Sequence, residues 1–273
     1  MLVEQADKRY LVLDGQQRLK TLAAFYKGLH GGKEFALQNV ADEYKGLTYN
    51  ALEPAQRRTI DNTFIQATIV RNDGSRKSLD SIYQVFERLN AGGTQLTPHE
   101  IRIALYSGAL VKLLADLNMA EGWREIYGQV SPRLRDQELV LRVLALYMRS
   151  AEYKAPLKKF LNDFLADHRD LTKFPDEKVG ALFRESTQAL ADSGARSVLR
   201  RAGQRINAAL VEAVVIACMR RLSKGGDLEG ETMVRALEII SNDKELASAT
   251  ASGTTFEDNV RRRIQRASVA FGA

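Results

Sequence analysis

Tyr10-Leu11-Val12-Leu13-Asp14-Gly15-Gln16-Gln17-Arg18-Leu19 is the stretch from which the rest of the chain can be read. Tyr10 to Leu13 is a short apolar run with the character of a buried strand. Asp14-Gly15 is a turn signal. From Leu19 onward, apolar residues return at helical spacing: Leu19, Leu22, Ala23 and Tyr26. The order is strand, tight glycine turn, helix. Such a corner presents open helical amides and the positive end of the helix dipole at Gln16 to Arg18, where an anion can sit. Gly15 lets the backbone come close to a phosphate, Arg18 offers a two-pronged guanidinium, and Gln16 and Gln17 offer neutral donors. Asp14 would repel an anion unless it caps the helix or holds a metal ion. A plain capped strand–helix junction accounts for the same residues, and both readings stand at this point.

On the upstream side, Leu2 to Gln5 and Arg9 to Leu13 read as the two arms of a β-hairpin. A hairpin alone is marginal in water. Its sheet is therefore completed by later strands, or by an upstream piece that is missing or supplied by a partner. Downstream, Glu34 to Leu37 and Leu47 to Tyr49 are weak strand candidates. Pro54 to Asn62 reads as a short helix, and Phe64 to Val70 as a strand with β-branched residues. From Ser78 the pattern is helical. Leu79, Ile82, Phe86 and Leu89 form one apolar face, and the loop Asn90 to Leu96 follows. Thr97-Pro98-His99-Glu100 then opens a new helix as a capping box. Further helices are predicted at Ala109–Asn118, Asp136–Arg149, Pro156–Asp167, Asp176–Asp192, Ile206–Leu222, Glu231–Ser241 and Phe256–Ala270, with Ser248 to Thr255 as loop. The fold class is α+β: a small sheet-and-helix part over residues 1–75, incomplete at its N-terminus, then a larger all-helical part over 76–273.

Composition narrows the chemistry. The 273 residues are 45% hydrophobic and 27% charged, an ordinary globular balance, and the net charge of +6 permits polyanion binding without requiring it. The single cysteine, Cys218, sits in an apolar run, so an internal disulfide is impossible and a reducing, cytoplasmic setting fits. No apolar run is long enough to span a bilayer, and no membrane partner is expected. His30, His99 and His168 are scattered, which argues against a zinc site. There is no Gly-x-Ser-x-Gly elbow and no Gly-Lys-Ser/Thr phosphate loop.

Three further groups carry candidate chemistry. Asn90 with Gly92 and Gly93 reads either as a helix C-cap or as a phosphate or metal contact. Arg102 reads as a surface partner for an acid or a phosphate. Arg196, Arg200, Arg201 and Arg205 form one basic group, and Arg261, Arg262, Arg263 and Arg266 another. Both read as solvated faces or as contacts for a nucleic-acid backbone, and the second is the candidate nucleic-acid contact.

Leu13-Asp-Gly-Gln-Gln-Arg-Leu19 together with Ile82-Tyr-Gln-Val-Phe86-Glu-Arg-Leu-Asn90-x-Gly-Gly-x-x-Leu96-x-Pro-x-Glu100-x-Arg102 resembles a known family. It is the N-terminal DGQQR domain of GmrSD-type modification-dependent restriction enzymes, a branch of the ParB/sulfiredoxin-like superfamily. The resemblance extends to Arg135-Asp-x-Glu138-x-Val-Leu-Arg142. It implies that the small part is ParB/sulfiredoxin-like. It also implies that Asp14, Gly15, Gln16, Gln17, Arg18, Asn90, Gly92, Gly93 and Arg102 surround an NTP bound with Mg²⁺. On the register of ParB-like CTPases, Asn90 falls where those proteins place a metal- and triphosphate-contacting asparagine. The chain departs from them at Leu89 and Gly93, where they carry an acid and an arginine, so a metal would draw on Glu87 or Asp14. The family's upstream aromatic motif and C-terminal HNH nuclease are both missing here. The expected function is a nucleotide-binding sensor of a DNA-restriction or antiphage system, with or without NTP hydrolysis, and with a separate HNH nuclease or upstream fragment as partner. The alternative is a non-catalytic DNA- or partner-binding protein that uses its basic C-terminal helices.

Overall fold

The computed structural model describes residues 1–4, 8–89, 96–200 and 206–273. The chain forms two compact units, Met1–Gln95 and Leu96–Ala273. The division falls after the helix that follows residue 75 rather than before it. Leu79, Ile82, Tyr83 and Phe86 of that helix are all buried.

The first unit is built on a three-stranded mixed sheet. β1 (Leu2–Glu4) lies in the middle, antiparallel to β2 (Tyr10–Val12) and parallel to β5 (Ile69–Arg71). The hairpin is thus completed from within the described chain, with Val3 opposite both Leu11 and Val70. Of the predicted strand Phe64 to Val70 only the end pairs, because β1 offers three residues to pair with. Phe64, at 98% exposure, lies outside the sheet. α1 (Gln16–Lys27) follows the glycine turn, and β3 (Leu29–His30) pairs with β4 (Lys33–Glu34) around Gly31-Gly32. Leu47 to Tyr49 is not a strand. Thr48 instead caps a short 3₁₀ turn over Tyr49–Ala51. α2 (Pro54–Asp61) and α3 (Arg76–Leu89) complete the unit.

α1 forms where the spacing predicts it, but a different face is covered. Phe25 is its buried residue and meets the rings of Phe35 and Tyr49 at 5.5 and 5.9 Å. Leu19, Leu22 and Tyr26 are exposed. Periodicity located the helix, whereas the aromatic cluster chose the side it buries.

The second unit is all helical. α4 (Pro98–Leu105) begins with the predicted capping box: the Glu100 amide donates to Thr97 Oγ1, and the Thr97 amide donates to the Glu100 carboxylate. α5 (Ala109–Asn118), α6 (Glu121–Tyr127), α7 (Arg135–Arg149), α8 (Leu157–Asp167), α9 (Asp176–Asp192), α10 (Ala208–Ser223), α11 (Gly230–Asn242), α12 (Lys244–Ala251) and α13 (Glu257–Ala270) follow. The predicted helices are present with ends shifted by a residue or two. α6 and α12 are additional. Both are too short to show a clear period, and α12 replaces the start of the predicted loop Ser248 to Thr255.

α10 is the centre of this unit. Val211 through Met219 are buried without interruption, as a helix enclosed on all sides requires, and α7, α9 and α13 pack around it. α6 lies against α9 so closely that a Cβ at Gly122 would stand 2.5 Å from the Gln188 amide nitrogen, so glycine is required there. No helix among the described residues is long and apolar enough to cross a membrane.

Candidate functional site

In the first unit, the hairpin delivers the chain to the turn. The amides of Leu13 and Asp14 donate to the Met1 carbonyl, which fixes where β2 ends. Gly15 then takes φ +88°, a left-handed conformation that a side chain disfavours, and caps α1 without a side-chain hydrogen bond. The Leu19 amide donates to the Gly15 carbonyl at 2.9 Å, the first α-helical bond. The amides of Gly15, Gln16, Gln17 and Arg18 have no acceptor among the described residues. No acidic residue stands in the first turn of α1 to occupy the positive dipole end. The open amide corner predicted from sequence is present.

Its side chains are arranged less simply. Asp14 does not cap the helix. Its Oδ2 accepts from Arg18 Nη2 at 3.0 Å, which answers the repulsion expected of this carboxylate. The Arg18 side chain is 77% exposed and lies back over the turn, where a Cβ added to Gly15 would stand 3.3 Å from Nη2. Gln16 turns away, its Nε2 donating to the Val12 carbonyl at 3.0 Å, and so ties the helix start to β2. Gln17 is exposed. Asn90, Gly92 and Gly93, the other predicted half of the site, lie outside the described residues. As for a metal, no group of three or more His, Cys, Asp or Glu residues gathers among the described residues. Asp14 is the carboxylate at the turn. That fits an ion such as Mg²⁺ only where phosphate and water supply most of its ligands.

Arg102 is not a surface arginine. It is 2% exposed, its Nε donates to Asn162 Oδ1 at 2.7 Å, and its Nη1 donates to Glu138 Oε2 at 3.2 Å. The helical register explains this, since Ile101, Arg102 and Leu105 all face inward from α4. Beside it, His99 is 1% exposed. Burial pushes its imidazole down to about 4, against the opposing pull of Glu138.

The motif Arg135 to Arg142 becomes the first two turns of α7 and divides by face. Asp136, fully buried, accepts from the Ser131 amide, Asn118 Nδ2 and Arg124 Nη1 at 3.1, 3.1 and 2.8 Å. Burial alone would raise its carboxyl, but these donors together hold it below the usual carboxylate value. On the other face, Glu138 receives Arg102, and Arg142 donates through Nε to Glu212 Oε2 at 2.8 Å. Glu212 lies on α10 with no exposure, and Arg263 of α13, also fully buried, donates to its other oxygen at 3.0 Å through Nε. One carboxylate thus joins α7, α10 and α13.

This placement reorders the predicted C-terminal contact. Arg263 stands on the buried stripe Val260, Arg263, Ile264, Ala267 and is not at the surface. Arg266 pairs with Asp243 at 2.7 Å, and Arg261 with Asp258 at 3.4 Å. Arg262 is exposed. The apolar residues flanking Arg263 at i−3, i+1 and i+4 were the signal that could have found it. Of the other basic group, Arg200 is half-buried and Arg196 exposed, while Arg201 and Arg205 lie outside the described residues.

Residues 1–107 match the family model described as GmrSD restriction endonuclease, N-terminal domain. The match takes in the glycine turn and the capped start of α4, the two places whose motifs carry the sequence resemblance. No curated protein and no solved structure gives a match.

Proposed function

From the likeness of its first 107 residues to the GmrSD restriction endonuclease N-terminal domain, we propose that this chain is the nucleotide-binding sensor part of a DNA-restriction or antiphage system. The observation that carries the reading is the open corner at Gly15 to Arg18. A left-handed glycine heads a twelve-residue helix, its amides lack acceptors among the described residues, and a mobile-length cation sits above them. A phosphate placed there would receive backbone N–H bonds, the helix dipole and a forked guanidinium together.

The Asp14–Arg18 pair is compatible with this role. An exposed ion pair contributes only about 0–1 kcal/mol, so a phosphate can take over Arg18 at small cost. Asp14 is then released beside the phosphates, where it can share a Mg²⁺ ion with them and with water. If the nucleotide is hydrolysed, these residues contribute positioning and charge stabilisation, and a Mg²⁺ ion beside Asp14 would supply further charge neutralisation. We assign Asn90, Gly92 and Gly93 to contact with the same phosphates, on the strength of the motif resemblance. DNA is the polymer such a system acts on. We place its cleavage in a separate partner, an HNH nuclease or another fragment of a split system, in keeping with three histidines scattered through this sequence.

The test is calorimetric titration of NTPs with Mg²⁺ into the wild-type chain, Arg18→Ala and Gly15→Val. Loss of a charged phosphate donor weakens binding about tenfold or more, and Gly15→Val closes the approach as well as straining the turn. Equal affinity of all three proteins, or no binding to any, would refute the reading.

A further inference from the structure

We infer that the helical unit contains a second phosphate-binding site, a cavity at the start of α7, independent of the glycine turn and of the function proposed for it. The cavity has a volume of about 840 Å³, and Arg133, Arg135, Arg142 and Arg200 line it, with Glu138 and Tyr127. That size suits a ligand of nucleotide dimensions. Four arginines line it with one carboxylate, which already receives Arg102. Glu100 and Glu212 balance Arg133 and Arg142, so the excess positive charge comes from Arg135 and Arg200. That excess focuses a positive potential that favours an anion.

The donors come from separate segments and are held from behind. Arg133 precedes α7, and its Nη2 donates to Glu100 Oε2 at 2.9 Å. Arg142, two turns into α7, is fixed by Glu212, which Arg263 holds in turn. Arg200 lies before α10 and bridges in strand fashion to Ile206, while its Nη2 donates to the carbonyls of Ile126 and Tyr127 at 3.2 and 3.0 Å. Arg135 is exposed, and no carboxylate partner for it exists among the described residues. Three arginines are thus oriented in advance, and a fourth is available to close on a ligand. Preorganised planar forks of this kind suit adjacent phosphate oxygens better than lysines would. Tyr127, whose ring carries Arg124 at 5.4 Å, adds an aromatic wall.

The ligand class is a compound with at least two neighbouring phosphate groups, either a free nucleotide or consecutive phosphodiesters of a DNA strand. Binding of inorganic tripolyphosphate, ATP and a short single-stranded DNA is measured by calorimetry at low and moderate salt. The proteins are the wild-type chain, Arg135→Glu, Arg135→Gln, Arg18→Ala and Arg235→Glu. Arg235 is an exposed arginine of α11 in the same unit, so its reversal matches the charge change outside the cavity. The expected result is salt-sensitive binding of at least one probe, weakened about tenfold by Arg135→Glu. Arg135→Gln should have a smaller effect in the same direction, Arg235→Glu should leave this binding unchanged, and Arg18→Ala should remove only the separate component bound at the glycine turn. The probe that binds distinguishes the nucleotide from the strand. Thermal unfolding at the wild-type temperature shows that the Arg135 variants fold. No binding of any probe overturns the inference. So does an equal loss in Arg235→Glu, or binding that only Arg18→Ala removes; the last outcome would leave the glycine-turn site standing.

Discussion

Arg18 and Arg142 are both arginines paired with a carboxylate, yet their settings have little in common. Arg18 holds Asp14 across one helical turn, and both side chains lie largely in solvent. Arg142 holds Glu212 from a neighbouring helix at 14% exposure, and Glu212 has none. In water the first pair can be exchanged for another partner at little cost. In the second, removing either member leaves an uncompensated buried charge. The first unit therefore carries a cation free to change partners, while the second uses Arg102, Arg124, Arg142 and Arg263 to fix its own framework. Where the second unit also lines a cavity with arginines, three of the four are already aimed.

The sharpest way to break this contrast is Glu212→Gln. It leaves two guanidinium groups without their counter-ion, one of them fully buried, and should cost about 3–5 kcal/mol in denaturant-induced unfolding of the helical unit. Adding Arg263→Met should recover part of that loss, because an apolar side chain in the same space needs no counter-ion. A Glu212→Gln variant as stable as the wild type would show that the triad is not structural.

A second measurement uses pH. His99 is held neutral in the folded chain, with its value lowered from 6.5 to about 4 by burial. The unfolded chain therefore takes up a proton in this interval that the folded chain does not. Stability falls as pH drops from about 6.5 and levels off near 4, by about 3 kcal/mol in all. The depressed carboxyl of Asp136 acts in a separate window. Its contribution is present above 3.8 and is lost as pH falls below that value. Urea melts between pH 7 and 4 should show the histidine slope in the wild type and lose it in His99→Gln. The same slope in both proteins would assign it elsewhere.

The smallest expected effect concerns the turn. Asp14→Ala should change stability by less than about 1 kcal/mol, since it breaks only an exposed pair. It should also release Arg18, so that tripolyphosphate without Mg²⁺ binds more tightly while the Mg²⁺-dependent gain shrinks. Unchanged binding under both conditions would remove Asp14 from the site.

Local chemistry made much of this legible. The capping box at Thr97 and Glu100, the strand–glycine–helix corner and most of the helices depend on interactions a few residues apart, and all are where the sequence puts them. Other features depend on which partner arrives from far along the chain. The predicted strand at Phe64 shrinks because β1 is short. The helix after residue 75 falls within the first compact unit, with Leu79, Ile82, Tyr83 and Phe86 buried. Arg102 and Arg263 pass for surface charges until Asn162, Glu138 and Glu212 are seen beside them.

By itself, then, the sequence determined the α+β class, the open amide corner at Gly15 and the likeness that the family model also finds. Those properties belong to backbone conformation and short-range pairing, which neighbouring residues dictate. Only the tertiary structure decided which arginines are committed to the core and which meet around a cavity. A charge's role depends on the groups that replace water around it, and those groups come from residues dozens of positions away.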